Sequence, residues 1–170
     1  MRIMTAFDQQ TSEQVREPVL EVGIAFTSDE AKALYREGLC AATSRSAGTD
    51  LRAVLTGEAL EIAPGERATI PTGVRVQPRT PGYAGFLYSR SGLGARDGLT
   101  VAQGVGVIDP DYTGEILVVL LNTSKDVRRI SRGERIAQLI FQPYARPCYA
   151  LVDDLQATER GAGGFGHSGR

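Results

Sequence analysis

The chain has 170 residues, the size of a single domain, and a formal net charge of −1 at pH 7, which excludes the basic overall surface of most nucleic-acid-binding domains. Its two cysteines, Cys40 and Cys148, lie far apart and outside any cluster of cysteine and histidine, so neither a disulfide framework nor a zinc site is indicated and a reducing compartment is favoured. Because the sequence has no apolar run of about 18 residues and no signal-peptide pattern, we expect a cytoplasmic protein with no membrane partner. The net charge leads us to expect no nucleic-acid partner.

The first part of the chain gives few strong signals. Residues 1–17 are mixed and polar and predict a flexible arm. Residues 19–26 are mainly apolar and predict a first strand. Ser28 can cap a helix, and Asp29 and Glu30 would place acids in its first turn, so a short helix is predicted through residue 39.

From residue 51 onward, short apolar runs alternate with turn residues. Leu60 and Ile62 alternate before a Pro-Gly turn, and Val74 and Val76 alternate before a proline. Regular spacing of short strands and turns is typical of an all-β sandwich, jelly roll or barrel, rather than of a βαβ fold.

Residues 101–122, VAQGVGVIDPDYTGEILVVLLN, are the most informative stretch. Apolar runs around 105–108 and 116–121 flank a compact turn rich in Asp, Pro and Gly, which predicts a hairpin. The second run has no polar alternation, so both its faces are predicted to be buried. A rigid support that presents the Asp109 carboxylate beside the Tyr112 phenol is a candidate site for water activation and shape selection. An ordinary turn is the alternative, because the same residues are common in turns.

Three further positions carry candidate chemistry. Residues 88–94, YSRSGLG, combine a guanidinium, hydroxyls and glycines that can bind phosphate, although a solvated polar turn would have the same composition. Asp50 follows a small-residue turn at the head of a strand. Arg135 and Gln138 stand among apolar neighbours and need partners if they are buried. We expect a structural role for Arg135 and a ligand contact for Gln138.

The tail, residues 160–170, formally matches GxGxxG. No strand–turn–helix context surrounds the match, so a dinucleotide-binding fold is rejected. Glycine tails are most often disordered. This one also contains Arg160, Phe165, His167 and Ser168, which suit a lid that brings donors to phosphate and an aromatic face to a base.

Five motifs in order, SAGTDLRA, YSRSGLG, GVGVIDPDYTGEI, RGERIAQLIF and RGAGGFGHSG, resemble those of the trimeric dUTP nucleotidohydrolase (dUTPase) family over residues 46–170. The resemblance implies an all-β, distorted jelly roll of the β-clip type with one short helix and a flexible Gly-rich C-terminal tail. Together with the flexible arm predicted at 1–17 from composition, it implies a jelly-roll domain at 18–155 and a lid motif at 156–170. It also implies a homotrimer with sites between subunits.

The activity implied by the resemblance is hydrolysis of dUTP to dUMP and pyrophosphate through Mg²⁺-assisted attack of water on the α-phosphorus. Such an enzyme supplies dUMP for thymidylate synthesis and keeps uracil out of DNA. Asp109 matches the family's catalytic acid, which activates the water and contacts the sugar. Tyr112 matches the residue under the sugar that leaves no room for a 2′-hydroxyl. Asp50 matches the acid near the metal, acting through water.

The remaining roles also come from the family motifs. The backbone of residues 104–108 would pair with the uracil edge, the second and fourth motifs would bind phosphates, and the tail would close over the nucleotide. The substrate-binding residues implied are Arg90, Ser91, Gly92, Gln103, Gly104, Gly106, Val107, Ile108, Asp109, Tyr112, Gln138, Arg160, Phe165, Gly166, His167 and Ser168.

The sequence departs from the common family pattern at two places. Gln103 stands where many members have an Asn that contacts uracil, so we expect recognition through the backbone there. His167 and Ser168 replace a frequent Ser-Thr pair, and a hydroxyl is kept at Ser168.

Two alternatives remain on the sequence alone. A dCTP deaminase shares this fold, although the tail motif and the Tyr112 turn argue against it. A non-catalytic nucleotide-binding β domain is the other. Covalent catalysis is not indicated, because the only histidine lies in the tail and neither cysteine is near a motif.

Overall fold

The computed structural model describes residues 19–164 with the exception of Glu37, Cys40 and Ala42. The predicted arm lies outside the described residues, and so do four tail positions singled out from the sequence: Phe165, Gly166, His167 and Ser168. The described part forms eleven strands, one α-helix and one turn of π-helix. In chain order these are β1 (Val22–Phe26), α1 (Asp29–Leu34), β2 (Thr49–Arg52), β3 (Ala59–Ile62), β4 (Arg67–Pro71), β5 (Val74–Pro78), β6 (Tyr83–Tyr88), the π turn (Gly92–Arg96), β7 (Leu99–Val101), β8 (Gly106–Ile108), β9 (Leu117–Asn122), β10 (Arg128–Ser131) and β11 (Arg135–Pro143).

The all-β fold predicted from the spacing of strands and turns is confirmed. The largest sheet has the strand order β2-β11-β6-β8, and a second has the order β4-β9-β7. Two further pairs, β1 with β5 and β10 with β3, complete the fold of the described residues. Every pair is antiparallel. Among the residues described, no helix has the length and apolar character needed to cross a bilayer.

Within one chain, strand β9 is buried on only one face, whereas the sequence predicts burial of both. Val118 and Leu120 are fully buried in the core, whereas Leu117 is 46% exposed and Val119 and Leu121 are half-buried. Residues along a strand alternate between the two faces of a sheet, and here only one face packs against the core. The outward face of β9 is therefore apolar without being covered by the same chain.

The predicted hairpin around the central turn is wrong. Strand β8 pairs with β6, whereas β9 pairs with β4 and β7, so the two apolar runs belong to different sheets. The segment between β7 and β9 is a long connection that places β8 at the edge of the four-stranded sheet. Short apolar runs on either side of a turn do not specify their partners, because strand pairing depends on contacts far away in the sequence. As an edge strand, β8 has backbone groups free for another ligand.

Helix α1 begins as predicted and ends five residues early, at Leu34 rather than at residue 39. Ser28 Oγ accepts a hydrogen bond from Ala31 N at 3.0 Å, which is the predicted cap. The helix ends because Tyr35 is drawn into the core, where its hydroxyl donates to Thr72 O at 2.9 Å and accepts from Arg52 N at 2.8 Å. Burial raises the pKa of Tyr35 to about 12, so the phenol stays protonated at neutral pH.

Candidate active site

The predicted phosphate-binding residues lie together at one end of the four-stranded sheet. In the register of β11, Gln138 pairs with Asp50 of β2 on one side and with Tyr88 of β6 on the other. Arg90 follows Tyr88 by two residues and reaches back to Asp50. Three motifs that are distant in the sequence therefore converge at one end of the sheet.

Asp50 is the charged centre of this cluster and is only 8% exposed. Its Oδ1 accepts from Arg90 Nε at 2.8 Å and its Oδ2 accepts from Arg135 Nη1 at 3.1 Å. A carboxylate with so little contact with solvent needs such partners to offset its loss of water. The structural role expected for Arg135 is thus the one observed. Nη1 of Arg90 also donates to Arg135 O at 3.3 Å, and this fixed orientation leaves Nη2 for an anion.

The loop after Arg90 is held from both sides. Ser89 Oγ accepts from Val101 N at 2.8 Å, and Gly94 N donates to Arg90 O at 2.8 Å. Ser91 is exposed and directly precedes the π turn. The sequence patterns did not predict this turn. A Cβ built on Gly92 would come no closer to a neighbour than 3.9 Å, so open space lies over this backbone. A ligand phosphate can approach it closely.

The predicted nucleoside-binding residues form a separate cleft of about 260 Å³ beside β8. Gly106 faces it in a crowded position, because a Cβ there would lie 3.1 Å from Leu87 and 3.1 Å from Gln103 Nε2 and would fit only if these neighbours shifted. The Gln103 amide thus lies against Gly106 at the cleft. The sequence left open whether this side chain contacts the base. The cleft is lined by Leu87, Gln103, Gly106, Val107, Ile108, Asp109, Tyr112, Glu115, Ile116 and Leu117. Gly104 lies in the turn before β8, with a positive φ of 81°.

Asp109 and Tyr112 belong to one tight turn at the rim of this cleft. Tyr112 N donates to Asp109 O at 3.0 Å, and the Asp109 side chain is exposed. The Tyr112 hydroxyl donates to Glu115 O at 2.8 Å, which folds the ring back over the turn. A Cβ built on Gly114 would come within 2.5 Å of the Tyr112 hydroxyl oxygen, so only glycine allows this packing. The turn therefore holds the Tyr112 ring and the Asp109 backbone, and presents the Asp109 carboxylate to solvent at the rim.

The nucleoside cleft and the phosphate cluster lie at opposite ends of β6 in one chain. Ile108 pairs with Gly85, so Asp109 lies near the start of β6, whereas Arg90 lies just beyond its end. Five to six residues of extended chain separate these levels, or roughly 16–20 Å. The structure does not bring Asp109 and Arg90 of the same chain together.

The C-terminal segment leaves the packed core after β11. Large apolar side chains are exposed along it, including Tyr149, Leu151 and Leu155. Arg160 is also exposed, and its Nε donates to Gly163 O at 2.8 Å within the tail itself. The described tail residues thus make local bonds and offer apolar surface outward.

Comparisons with known proteins point to one family. The family model described as dUTPase matches residues 35–169. The deoxyuridine 5'-triphosphate nucleotidohydrolases of Escherichia coli (strain K12 / DH10B) and Shigella boydii serotype 18 are each 47% identical over 129 residues, which cover 76% of this chain and 85% of the relative.

Solved structures give the same result. A mutant dUTPase of Staphylococcus bacteriophage 80alpha with dUpNHpp superposes with a TM-score of 0.73 at 27% identity, covering 88% of this chain and 99% of that chain. The dUTPase of Streptococcus mutans gives a TM-score of 0.64 at 28% identity, covering 75% and 99%.

Proposed function

Because the chain belongs to the dUTPase family and is a dUTP diphosphatase, we propose that it hydrolyses dUTP by attack of water on the α-phosphorus, in sites that copies of the chain build together. The observation that carries this mechanism is the turn that fixes Asp109 and Tyr112 at the rim of the cleft beside β8. The products are dUMP and pyrophosphate. Such a reaction supplies dUMP for thymidylate synthesis and keeps uracil out of DNA, and we place it in the cytoplasm.

Asp109 acts as the general base in this proposal. Its carboxylate is exposed at the cleft rim and can accept a proton from a water held against the α-phosphorus. The attack displaces pyrophosphate in one step, so no covalent intermediate with the protein is needed. The closed turn, in which Tyr112 N binds Asp109 O, limits the positions that the carboxylate can take.

Base and sugar are selected by the backbone of β8 and by Tyr112. The free edge of β8 offers N–H and C=O groups to the uracil edge, and a close fit of the base against this backbone would exclude a 5-methyl group. Cytosine presents the wrong donors and acceptors and would leave buried polar groups unpaired. The Tyr112 ring, held over the turn, blocks a ribose 2′-hydroxyl.

Phosphates bind to the cluster at the other end of the sheet, contributed by a neighbouring copy. Arg90, Ser91 and Gly92, assisted by Gln138, offer one charged donor and an open backbone. Asp109 and Arg90 of one chain lie at levels of β6 that are roughly 16–20 Å apart, which supports a site that takes Arg90 from a second chain.

We propose that the assembly is a homotrimer. The exposed apolar face of β9, with Leu117 at 46% exposure, and the apolar C-terminal segment both need cover that the same chain does not give. The tail would then close over the nucleotide, with Arg160, His167 and Ser168 at the terminal phosphates and Phe165 on the uracil.

Mg²⁺ is the proposed cofactor, and the site suits an indirect role for it. The described part of the chain contains no group of three or more His, Cys, Asp or Glu side chains that could hold a metal, and both oxygens of Asp50 already accept from guanidinium groups. Substrate phosphates would therefore supply the direct ligands, and Asp50 would accept from a metal-bound water. The ion's chemistry when bound is neutralisation of the triphosphate charge.

The variant Asp109→Asn tests the role of the base. We expect it to bind dUTP with nearly unchanged affinity and to release pyrophosphate about a hundred-fold more slowly or worse, because only proton transfer is removed. Asp111→Asn is the matched control, since Asp111 is an exposed acid of the same turn. Equal turnover by Asp109→Asn and the wild type would remove Asp109 from the mechanism.

A further inference from the structure

Glu115 is a half-buried acid that the proposed mechanism does not use. It lies between the Tyr112 turn and strand β9 and lines the nucleoside cleft. Its Oε1 accepts a hydrogen bond from Gly73 N at 2.6 Å, across 42 residues of sequence. A charge-assisted bond of this kind is among the stronger hydrogen bonds in proteins.

The backbone of Glu115 sets the position of the Tyr112 ring. The phenol hydroxyl donates to Glu115 O at 2.8 Å, and the ring packs directly on Gly114. A shift of the backbone at 114–115 would therefore move the ring that closes the sugar side of the cleft.

The partner of Glu115 is itself firmly held. Gly73 has a positive φ of 70° and packs against Ala31 of helix α1, and its carbonyl accepts from Thr27 N at 2.9 Å. Next to it, Val74 O accepts from Ile116 N at 2.8 Å. The start of β5 thus forms a rigid support for the residues that follow the Tyr112 turn.

A second bond from β5 reaches the same turn. Arg75 Nε donates to Thr113 O at 2.6 Å, but Arg75 is exposed to solvent. Glu115 is the shielded member of the two, because it is half-buried between the turn and the core. Removing the Glu115 carboxylate should therefore loosen the turn more than removing the Arg75 guanidinium.

We propose that Glu115 is a positioning residue that sets sugar selectivity by anchoring the Tyr112 turn to Gly73. The inference deepens the proposed function and depends on it for its kinetic readout. Glu115 touches neither the water nor the phosphates in this scheme; it acts through Tyr112 and, more weakly, through Asp109.

The kinetic test compares Glu115→Ala with Glu115→Gln, whose amide oxygen can still accept from Gly73 N. For Glu115→Ala we expect kcat/KM for dUTP to fall about ten-fold or more, because the Tyr112 ring is misplaced. We expect kcat/KM for UTP to fall far less. The dUTP/UTP preference then drops about ten-fold, whereas Glu115→Gln stays close to the wild type. An unchanged preference in Glu115→Ala would overturn the proposal.

Thr123→Val is the matched control for lost stability. In the wild type, the Thr123 hydroxyl donates to Gly98 O at 2.8 Å, beyond the end of β9 that is far from the cleft. The control is expected to lower the melting temperature without changing the dUTP/UTP preference. A similar drop in preference in Thr123→Val would show that general destabilisation causes the effect, and the proposal would fall.

Hydrogen exchange supplies a readout that does not require turnover. In Glu115→Ala, amides of residues 109–116 and 73–74 should exchange faster, while those of β2 and β11 keep wild-type rates. Unchanged exchange at 109–116 would overturn the anchoring even if the kinetics shift. Absence of dUTP hydrolysis by the wild-type protein would instead refute the proposed function, and the exchange comparison would still decide the anchoring.

Discussion

Mixing two inactive variants of this protein should restore activity. Asp109→Asn removes the base from the nucleoside cleft, and Arg90→Met removes the cation from the phosphate cluster while keeping an apolar stem. The backbone levels of these two residues lie roughly 16–20 Å apart along β6 in one chain, so the chain does not bring the two side chains together. In the proposed assembly, a working site takes Asp109 from one copy and Arg90 from another.

The size of the effect follows from random assembly. In trimers assembled at random from equal amounts of the two variants, about a quarter of all sites combine an intact Asp109 with an intact Arg90 from different chains, and in trimers that contain both variants this share is about one third. If both halves of a site came from the same chain, no site would be intact. The difference is measured as pyrophosphate release from dUTP after co-expression of the two variants with different affinity tags and isolation of the doubly tagged species.

The matched control pairs the Arg90→Met chain with a chain that carries both substitutions. These assemblies contain no intact Arg90 and should stay inactive, while thermal melting checks that all species remain folded. Failure of the first mixture to exceed this control, with mixed oligomers demonstrably formed, would refute sites shared between chains.

Three further predictions concern single elements of the site. Tyr112→Ala should admit UTP measurably, because the ring that blocks a 2′-hydroxyl is gone, and unchanged rejection of UTP in pyrophosphate-release assays would place the sugar filter elsewhere. Truncation after Glu159 should leave the melting temperature unchanged, since residues 160–164 bury little, but should abolish most turnover; full activity would exclude a lid. Arg135→Met should lower the free energy of unfolding by about 1–3 kcal/mol and raise KM for dUTP, because Asp50 loses one of two partners, whereas Arg132→Met at an exposed neighbour should do neither.

Local features of the fold could be predicted from the sequence. Strands β3 and β5 match the alternating pairs at Leu60, Ile62, Val74 and Val76, because side-chain alternation and the turns beyond each pair are properties of neighbouring residues. Ser28 was identified as a helix cap for the same reason. Features decided by a few adjacent residues are the ones that a sequence reveals.

Features decided by distant contacts were not predicted. The partner of β8 is β6, and the early end of α1 depends on a pocket for Tyr35 between Arg52 and Thr72. Neither contact leaves a mark in the local pattern. The exposure of the outward face of β9 was not predicted for a related reason. An apolar residue such as Leu117 gives the same sequence pattern whether its own chain or another copy covers it.

The candidate site shows the same division. The motifs predicted Asp50 and Arg90 as candidate site residues, but not their ion pair, which spans 40 residues, nor the bond from Arg135 to Asp50, which spans 85. Glu115 lies within the third motif but no role was predicted for it, because its partner is a backbone N–H 42 residues away. Which groups a site contains follows from residue types, whereas how each is held follows from the sheet.

Pyrophosphate release from dUTP, dTTP, dCTP and UTP in parallel, first with Mg²⁺ and then with EDTA, tests the central claim most directly. The arrangement of β8, Asp109 and Tyr112 predicts release from dUTP alone, lost when the metal is removed. Release from none of the four, with dUTP still bound, would contradict hydrolysis, and comparable release from UTP or dCTP would contradict the selectivity assigned to the cleft.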